Sequence, residues 1–237
     1  THAACYVINQ LAPAARGQLL HELYHPSEMG FSVSRICLGS SDYATKAYSY
    51  DDGDPDPGLG RFSIDHDREY ILPVLLQCRK LNPGLFLLGS PWSPPGWMKA
   101  NDSMLGGSMR KKHYASYAQY FVRFLQAYAA AGVPVDAVTT QNEVDTDQDG
   151  RMPACLWGQE YEIEFIARHL GPQLGKNELA VQDYSESIKL EPKNAESYNN
   201  RANAYSLLGK YEDAVKDYDE ALKLDAKNAK IYANRGV

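Results

Sequence analysis

The chain has 237 residues and a formal net charge of −6. A net negative charge without a basic cluster argues against a nucleic-acid partner. No apolar run reaches the roughly 18–20 residues that a membrane-spanning helix requires. The four cysteines lie far apart and lack the spacing of a metal site. We therefore expect isolated, buried thiols, and no motif calls for a cofactor.

Apolar periodicity predicts alternating helices and strands over the first 174 residues. Helical spacing with Gly or Pro boundaries marks four segments: 11–24, 69–80, 111–132 and 160–170. Strands are predicted over 31–38, 85–88 and 135–143, with a truncated strand at 1–6. This alternation indicates an α/β fold with a parallel sheet. Since a closed (β/α)8 barrel typically needs ~250 residues, about four βα units predict a partial TIM-type barrel.

The composition changes near residue 175. Every Cys, Trp, Met, Phe and His precedes it, and from there the chain repeats itself at a period of 34 residues. For example, Asp183-Tyr184 recurs as Asp217-Tyr218. The period resembles that of the tetratricopeptide repeat, with one whole repeat over 195–228. We therefore predict two domains, an α/β domain over 1–174 and an all-α repeat segment over 175–237.

Polar and aromatic residues follow two of the predicted strands. The strand over 135–143 ends in Asn142 and Glu143, and residues at the C-terminal ends of barrel strands carry chemistry. The alternative is an ordinary strand end facing solvent. Three prolines within 90–99 predict a rigid loop that holds Trp92 and Trp97. For these tryptophans the alternative is plain core packing.

Five segments carry a family signature: 34–43 (SRICLGSSDY), 48–51 (YSYD), 90–99 (SPWSPPGWMK), 137–143 (AVTTQNE) and 165–172 (FIARHLGP). In this order they resemble glycoside hydrolase family 30, the glucosylceramidase-like enzymes, over about residues 1–174. The resemblance implies the first half of that family's barrel. It also implies retaining hydrolysis of a β-glucoside or a glucosylceramide-like substrate, which would connect the chain with sphingolipid metabolism.

The resemblance also assigns roles to five residues. Glu143 matches the general acid/base, and Asn142 matches the residue that binds the sugar 2-hydroxyl. Arg35 matches a residue that holds the nucleophile, and Asp42 one that binds sugar hydroxyls. Trp92 matches the tryptophan that lines the glucose pocket. For Arg35, a buried ion pair is the alternative.

The second catalytic carboxylate decides what this chain can do. Retaining glycosidases use two carboxylates roughly 5–5.5 Å apart. The family's nucleophile is a glutamate at the seventh strand, and no residue here matches it, so we expect the isolated chain to be inactive. The alternative is a tetratricopeptide protein-protein interaction adaptor that carries a non-catalytic barrel remnant. An artificial or mis-assembled fusion, a chimera, also remains open.

The sequence says less about partners and compartment. The repeat segment would present Asn199, Asn200, Asn203 and Lys230 to a peptide or protein ligand. Unpaired strand edges predict self-association. Residues 145–150 resemble a calcium loop but lack the glutamate at its twelfth position, so an acidic surface loop is favoured. The family suggests a lysosomal or secreted protein and the repeats a cytoplasmic one, which leaves the compartment open.

Overall fold

The computed structural model describes residues 2–146, 150–208 and 210–235. The chain divides into two compact units, Thr1–His169 and Leu170–Val237. The first contains three parallel strands and most of the hydrophobic core, and the second is helical. Within the described ranges, no helix is long and apolar enough to cross a membrane. The predicted α/β fold followed by an all-α segment is therefore confirmed.

From Val33 onwards, the elements of the first unit alternate as the sequence predicts. The strands are β1 (Val33–Leu38), β2 (Phe86–Pro91) and β3 (Ala137–Val138). The helices are α1 (His2–Gln10), α2 (Pro13–Tyr24), α3 (Asp65–Leu81), α4 (Tyr114–Ala130) and α5 (Gln159–Phe165), with 3-10 turns at Gly96–Met98 and Lys111–His113 and a π turn at Ile166–Leu170. Because α3 joins β1 to β2 and α4 joins β2 to β3, all three carboxyl ends meet at one edge of the sheet.

The sheet is parallel, with strand order β1-β2-β3. Arg35 lies opposite Leu88, and Leu88 lies opposite Ala137. Gly89 permits close packing in the central strand, because a Cβ there would meet Leu38 Cδ1 at 3.0 Å and Phe124 Cε1 at 3.2 Å. The aromatic face of α4 can therefore pack directly on the sheet.

Two predicted strands are wrong in type or extent. The segment 1–6 is predicted as a strand, but α1 begins at His2; its buried residues His2 and Cys5 have the spacing of a helical face. The strand predicted over 135–143 contracts to Ala137–Val138. The Leu87 N–H donates to the side-chain oxygen Oδ2 of Asp136 at 2.8 Å, so this bond does not belong to the backbone ladder. Pro91 has no N–H with which to continue the ladder. The described part of the chain therefore has three strands instead of four.

A buried carboxylate organises the contact between α3, α4 and the loop after β1. Asp67 accepts hydrogen bonds from the hydroxyls of Tyr48 and Tyr50, both at 2.6 Å, and from that of Tyr128. Burial alone would raise the pKa of Asp67, but hydrogen bonds from His66, Tyr128 and Tyr48 hold it below its usual value. Asp67 is therefore the ionised acceptor for three core tyrosines.

His2 extends this network to the sheet. The Cys37 N–H donates to His2 Nε2 at 3.3 Å, so Nε2 carries no proton. The other ring nitrogen, Nδ1, faces the Tyr48 hydroxyl at 3.2 Å. Burial lowers the pKa of the imidazole to about 4, because a second ring proton would be desolvated and would displace the Cys37 bond. His2 is therefore neutral in the folded protein at neutral pH.

We expect the first unit to lose stability on acidification. Between the usual histidine pKa of about 6.5 and the folded value of about 4, unfolded His2 binds a proton and folded His2 does not. The free energy of unfolding should therefore fall with falling pH in this window, by at most about 3 kcal/mol. Urea unfolding followed by tryptophan fluorescence measures it. The substitution His2→Asn should flatten the slope and His25→Asn should not; equal slopes in both variants would contradict the assignment.

The second unit consists of short helices packed as the repeat predicts. They are α6 (Gly171–Leu190), α7 (Ala195–Leu207), α8 (Tyr211–Leu224) and α9 (Ala229–Arg235). The core residues of this unit are mainly small: Ala202, Ala214, Tyr218, Ala221 and Ile231. Arg201 on α7 donates to both oxygens of Asp217 on α8, at 2.6 and 2.8 Å, and to Ser185 Oγ on α6 at 3.1 Å. This arginine therefore joins three consecutive helices.

Candidate functional site

Side chains from β1, from the end of β2 and from the segment after β3 meet towards the carboxyl edge of the sheet. Arg35 Nη2 donates to Asn142 Oδ1 at 2.6 Å and to Ser90 Oγ at 2.7 Å. The Arg35 guanidinium lies 4.6 Å from the centre of the Trp92 ring. We call Arg35, Ser90, Trp92 and Asn142 the strand-end cluster. It combines a cation and an amide above a largely buried indole.

The partners of Arg35 within the described residues are neutral. A hydroxyl and an amide oxygen each accept from one nitrogen, and the indole ring contributes a cation–π contact. Ser90 Oγ also bonds Thr139 Oγ1 at 2.6 Å, which fixes the hydroxyl between β2 and the segment after β3. The guanidinium has further N–H donors beyond Nη2 that can serve an oxygen-rich ligand.

Two of the residues named by the resemblance lie outside this bonded cluster. Glu143 is exposed, and its side chain makes no hydrogen bond or ion pair with a described residue. Its φ of 49° is in the left-handed region, which costs a non-glycine residue of order 1 kcal/mol. Asp42 is also exposed, in the loop after β1. The structure thus brings together Arg35, Trp92 and Asn142 but leaves both carboxylates at the solvent boundary.

The two tryptophans of the proline-rich loop have different surroundings. Trp97 is buried, and its Nε1 donates to the backbone oxygen of Asp51 at 3.0 Å and to Asp51 Oδ2 at 3.2 Å. Burial raises the pKa of Asp51, whose Oδ1 has no hydrogen-bond partner among the described residues. Trp97 therefore packs in the core, whereas Trp92 lies against the Arg35 guanidinium in the strand-end cluster.

Lys99 is a buried cation that sequence reasoning did not single out. Its Nζ donates to Ser93 Oγ at 3.1 Å, to the Met104 oxygen at 2.9 Å and to the Ala154 oxygen. Burial lowers the pKa of Lys99 to about 8. The amino group joins the loop after β2 to the segment beyond Glu143. Only the position of Lys99 in the signature segment 90–99 hinted at a role.

The calcium-like loop and the four cysteines are the remaining predicted features of the first unit. The calcium-like loop over 145–150 includes residues 147–149, which lie outside the described ranges. Among the residues that the structure describes, no group of three His, Cys, Asp or Glu side chains could hold a metal ion. All four cysteines are free and buried, which confirms that prediction. Burial raises the pKa of Cys5, Cys37 and Cys155 to about 11 and that of Cys78 to about 12.

The polar residues predicted on the face of the repeat segment are partly engaged within it. Asn199 is only 3% exposed, accepts from Asn234 Nδ2 at 3.1 Å and donates to Asn200. Asn203 accepts from the Tyr218 hydroxyl at 2.6 Å. The prediction that Asn199 is presented to a ligand is wrong, because its side chain is buried and is bonded to Asn234 and Asn200.

Comparison with known families gives the assignment of the first unit. The model of the glycosyl hydrolase family 30 TIM-barrel domain matches residues 1–219. The chain belongs to glycoside hydrolase family 30. A tetratricopeptide repeat model matches residues 206–237 and overlaps the family 30 match over 206–219. The partial family 30 barrel and the repeat that the motifs predict are both confirmed.

Family 30 relatives include enzymes named for different activities. An endo-1,6-β-D-glucanase of Neurospora crassa is 39% identical over 181 residues, covering 73% of this chain and 38% of the relative. A putative glucosylceramidase 4 of Caenorhabditis elegans is 32% identical, covering 75% of this chain and 36% of the relative. The chain thus spans less than two fifths of the length of these two curated relatives.

Two solved structures share the fold of the matching part. The endo-β1,6-glucanase BT3312 superimposes with a TM-score of 0.67 at 31% identity, covering 73% of this chain and 39% of that chain. SrfJ from Salmonella typhimurium superimposes with a TM-score of 0.71 at 27% identity, covering 84% of this chain and 46% of that chain. The three-stranded sheet of this chain is therefore part of a family 30 barrel.

Proposed function

We propose that this chain carries the acid/base half of a retaining β-glycoside hydrolase site. Glu143 acts as the general acid/base, while Asn142, Arg35, Asp42 and Trp92 contribute to sugar binding. The observation that carries the proposal is the pair of bonds from Arg35 to Asn142 and Ser90. These bonds join β1, the end of β2 and the segment after β3 in one cluster near the edge where TIM-barrel enzymes carry their active sites.

The cluster provides the chemistry that a glucose unit requires. Arg35 and Asn142 supply N–H donors for ring hydroxyls, and their own hydrogen bond restricts both side chains before a ligand arrives. Trp92 is only 7% exposed and lies beside the guanidinium, so it acts mainly as the floor of the site. Glu143 comes directly after Asn142 and is exposed, which supports a role for its carboxyl at the solvent boundary of the same site.

We infer a β-linked glucoside as the substrate. A β-1,6-linked glucose oligomer is the first ligand whose binding should be measured. The support is the 39% identity to the Neurospora crassa endo-1,6-β-D-glucanase, which exceeds the 32% identity to the Caenorhabditis elegans putative glucosylceramidase 4. A cluster at the solvent boundary also suits an internal glucose unit of a soluble chain. A preference for a glucosylceramide-like lipid would change the aglycone and leave the cluster's role intact.

Sugar binding tests the proposal directly. We expect gentiotriose, a β-1,6-linked trimer, to bind the full chain weakly in calorimetric or NMR titration. The substitution Arg35→Met should weaken binding by about tenfold or more, because it leaves Asn142 and the sugar without their charged donor. Arg79→Met is a matched control, since Arg79 also donates to an oxygen, that of Pro134, away from the cluster. Equal loss in both variants, or none in Arg35→Met, would contradict the proposal.

A second candidate function concerns the helical unit. The support is the tetratricopeptide match over 206–237 together with the packed pair α7 and α8, an arrangement that binds proteins in repeat arrays. We infer an adaptor role for this unit, with Lys230 and the side chain of Asn200, which accepts one bond from Asn199, as polar groups for a ligand. Self-association of the chain remains a prediction.

A further inference from the structure

The backbone ladder between β2 and the segment after β3 slips by one residue. Thr139 N–H donates to the Gly89 oxygen at 2.8 Å, and the next bond runs from Asn142 N–H to the Pro91 oxygen, also at 2.8 Å. A regular parallel ladder would advance two residues on each strand between these bonds, but here one strand advances three. The extra residue changes the direction of the side chains that follow it, as β-bulges do near active sites.

Gln141 lies in this slipped stretch and replaces the missing ladder bonds with its side chain. Its Nε2 donates to the Trp92 oxygen at 2.6 Å and to the Asn142 oxygen at 2.9 Å. The residue is only 7% exposed, and its Oε1 has no hydrogen-bond partner among the described residues. Two carbonyl oxygens facing one amide require the nitrogen on that side, which fixes the orientation of the amide.

We propose that Gln141 is the positioning residue that sets Trp92 and Asn142 relative to each other for sugar binding. The inference rests on the proposed function and deepens it by naming what aligns the site. Gln141 touches no sugar, because its side chain is enclosed. It acts through the two carbonyls that it bridges, those of Trp92 and Asn142, which both belong to the strand-end cluster.

The isosteric substitution Gln141→Glu makes the hydrogen bonds from side chain 141 to the two carbonyl oxygens depend on pH. Below its pKa the introduced carboxyl has one O–H to donate to a carbonyl oxygen, and above it the oxygen that replaces Nε2 faces both carbonyl oxygens without a proton to donate. Burial beside carbonyl dipoles raises the pKa of the introduced carboxyl above the usual value of about 4.3. Gentiotriose affinity of the variant should therefore be close to wild type at about pH 5 and fall about tenfold by about pH 8.

A second readout needs no sugar. The Ser93 amide shares a peptide unit with the Trp92 oxygen, and the Glu143 amide shares one with the Asn142 oxygen. In Gln141→Glu, both amide resonances should move with pH at a common midpoint, whereas in wild type they should not share such a titration. Gln77→Glu is the matched control, because Gln77 Nε2 also donates to a backbone oxygen, that of Pro73, at 3.1 Å within α3.

The outcomes separate this inference from the proposed function. If the two amides titrate together but wild type binds no gentiotriose, the proposed function fails and the bridging by Gln141 stands. If wild type binds and Gln141→Glu binds equally well at both pH values, the inference is overturned and the proposed function stands. Should Gln141→Glu unfold at high pH, Gln141→Met decides: about tenfold weaker binding at every pH supports the inference, and unchanged binding overturns it.

Discussion

The substitution Asp67→Ala should lower the free energy of unfolding of the first unit by about 3–5 kcal/mol. The change removes the common acceptor of three tyrosine hydroxyls. Tyr48, Tyr50 and Tyr128 are at most 5% exposed, so water cannot replace the carboxylate. Each unpaired buried hydroxyl carries a desolvation cost of about 1–3 kcal/mol, and the new cavity adds to it.

Tryptophan fluorescence during urea unfolding measures this loss. All three tryptophans lie in the first unit, so the signal does not report the repeat helices. Asp65→Ala is the matched control on the same helix, because Asp65 is exposed and pairs only with Arg68 among the described residues. It should cost less than about 1 kcal/mol. A loss of similar size in both variants would show that the buried carboxylate is not the organising group.

The parts of the fold that depend on local periodicity were predictable from the sequence. The aromatic spacing of α4 and the repeat from 175 onwards each recur over several turns, so packing has little scope to override them. The segment 1–6 is too short for its periodicity to identify a helix. Its helix is stabilised by contacts of His2 and Cys5 with residues far along the chain, which periodicity does not reveal.

The candidate site also contains residues that the sequence predicted and residues that it did not. Motif resemblance pointed to Arg35, Trp92 and Asn142, and the parallel sheet brings these three residues together. Gln141 and Lys99 were not predicted, because their side chains donate to backbone oxygens. Every residue type has a backbone oxygen, so the sequence does not mark these acceptors. The ladder slip that brings the Gln141 side chain between two carbonyls arises partly from Pro91, which lies about fifty positions earlier in the chain.

The substitution Glu143→Gln should have the largest effect on chemistry. In a retaining glycosidase the acid/base protonates the leaving oxygen while a second carboxylate attacks the anomeric carbon. No residue of this chain matches that second carboxylate, so we expect no useful hydrolysis without an added nucleophile. Azide can take that place. Its nitrogen forms a bond to the anomeric carbon, the bond to the phenolic oxygen breaks, and Glu143 donates a proton to that oxygen.

The most direct test is therefore the product formed by the full chain, with and without azide, from phenyl β-glucoside, whose phenoxide is a poor leaving group that needs the proton from Glu143. We predict no hydrolysis without azide and, with azide, inverted α-glucosyl azide. Its formation should fall by about 10²–10⁴ in Glu143→Gln and remain unchanged in the control Glu160→Gln. Release of β-configured glucose without azide, or azide product of equal rate in Glu143→Gln, would contradict the account of this chain as the acid/base half of the site.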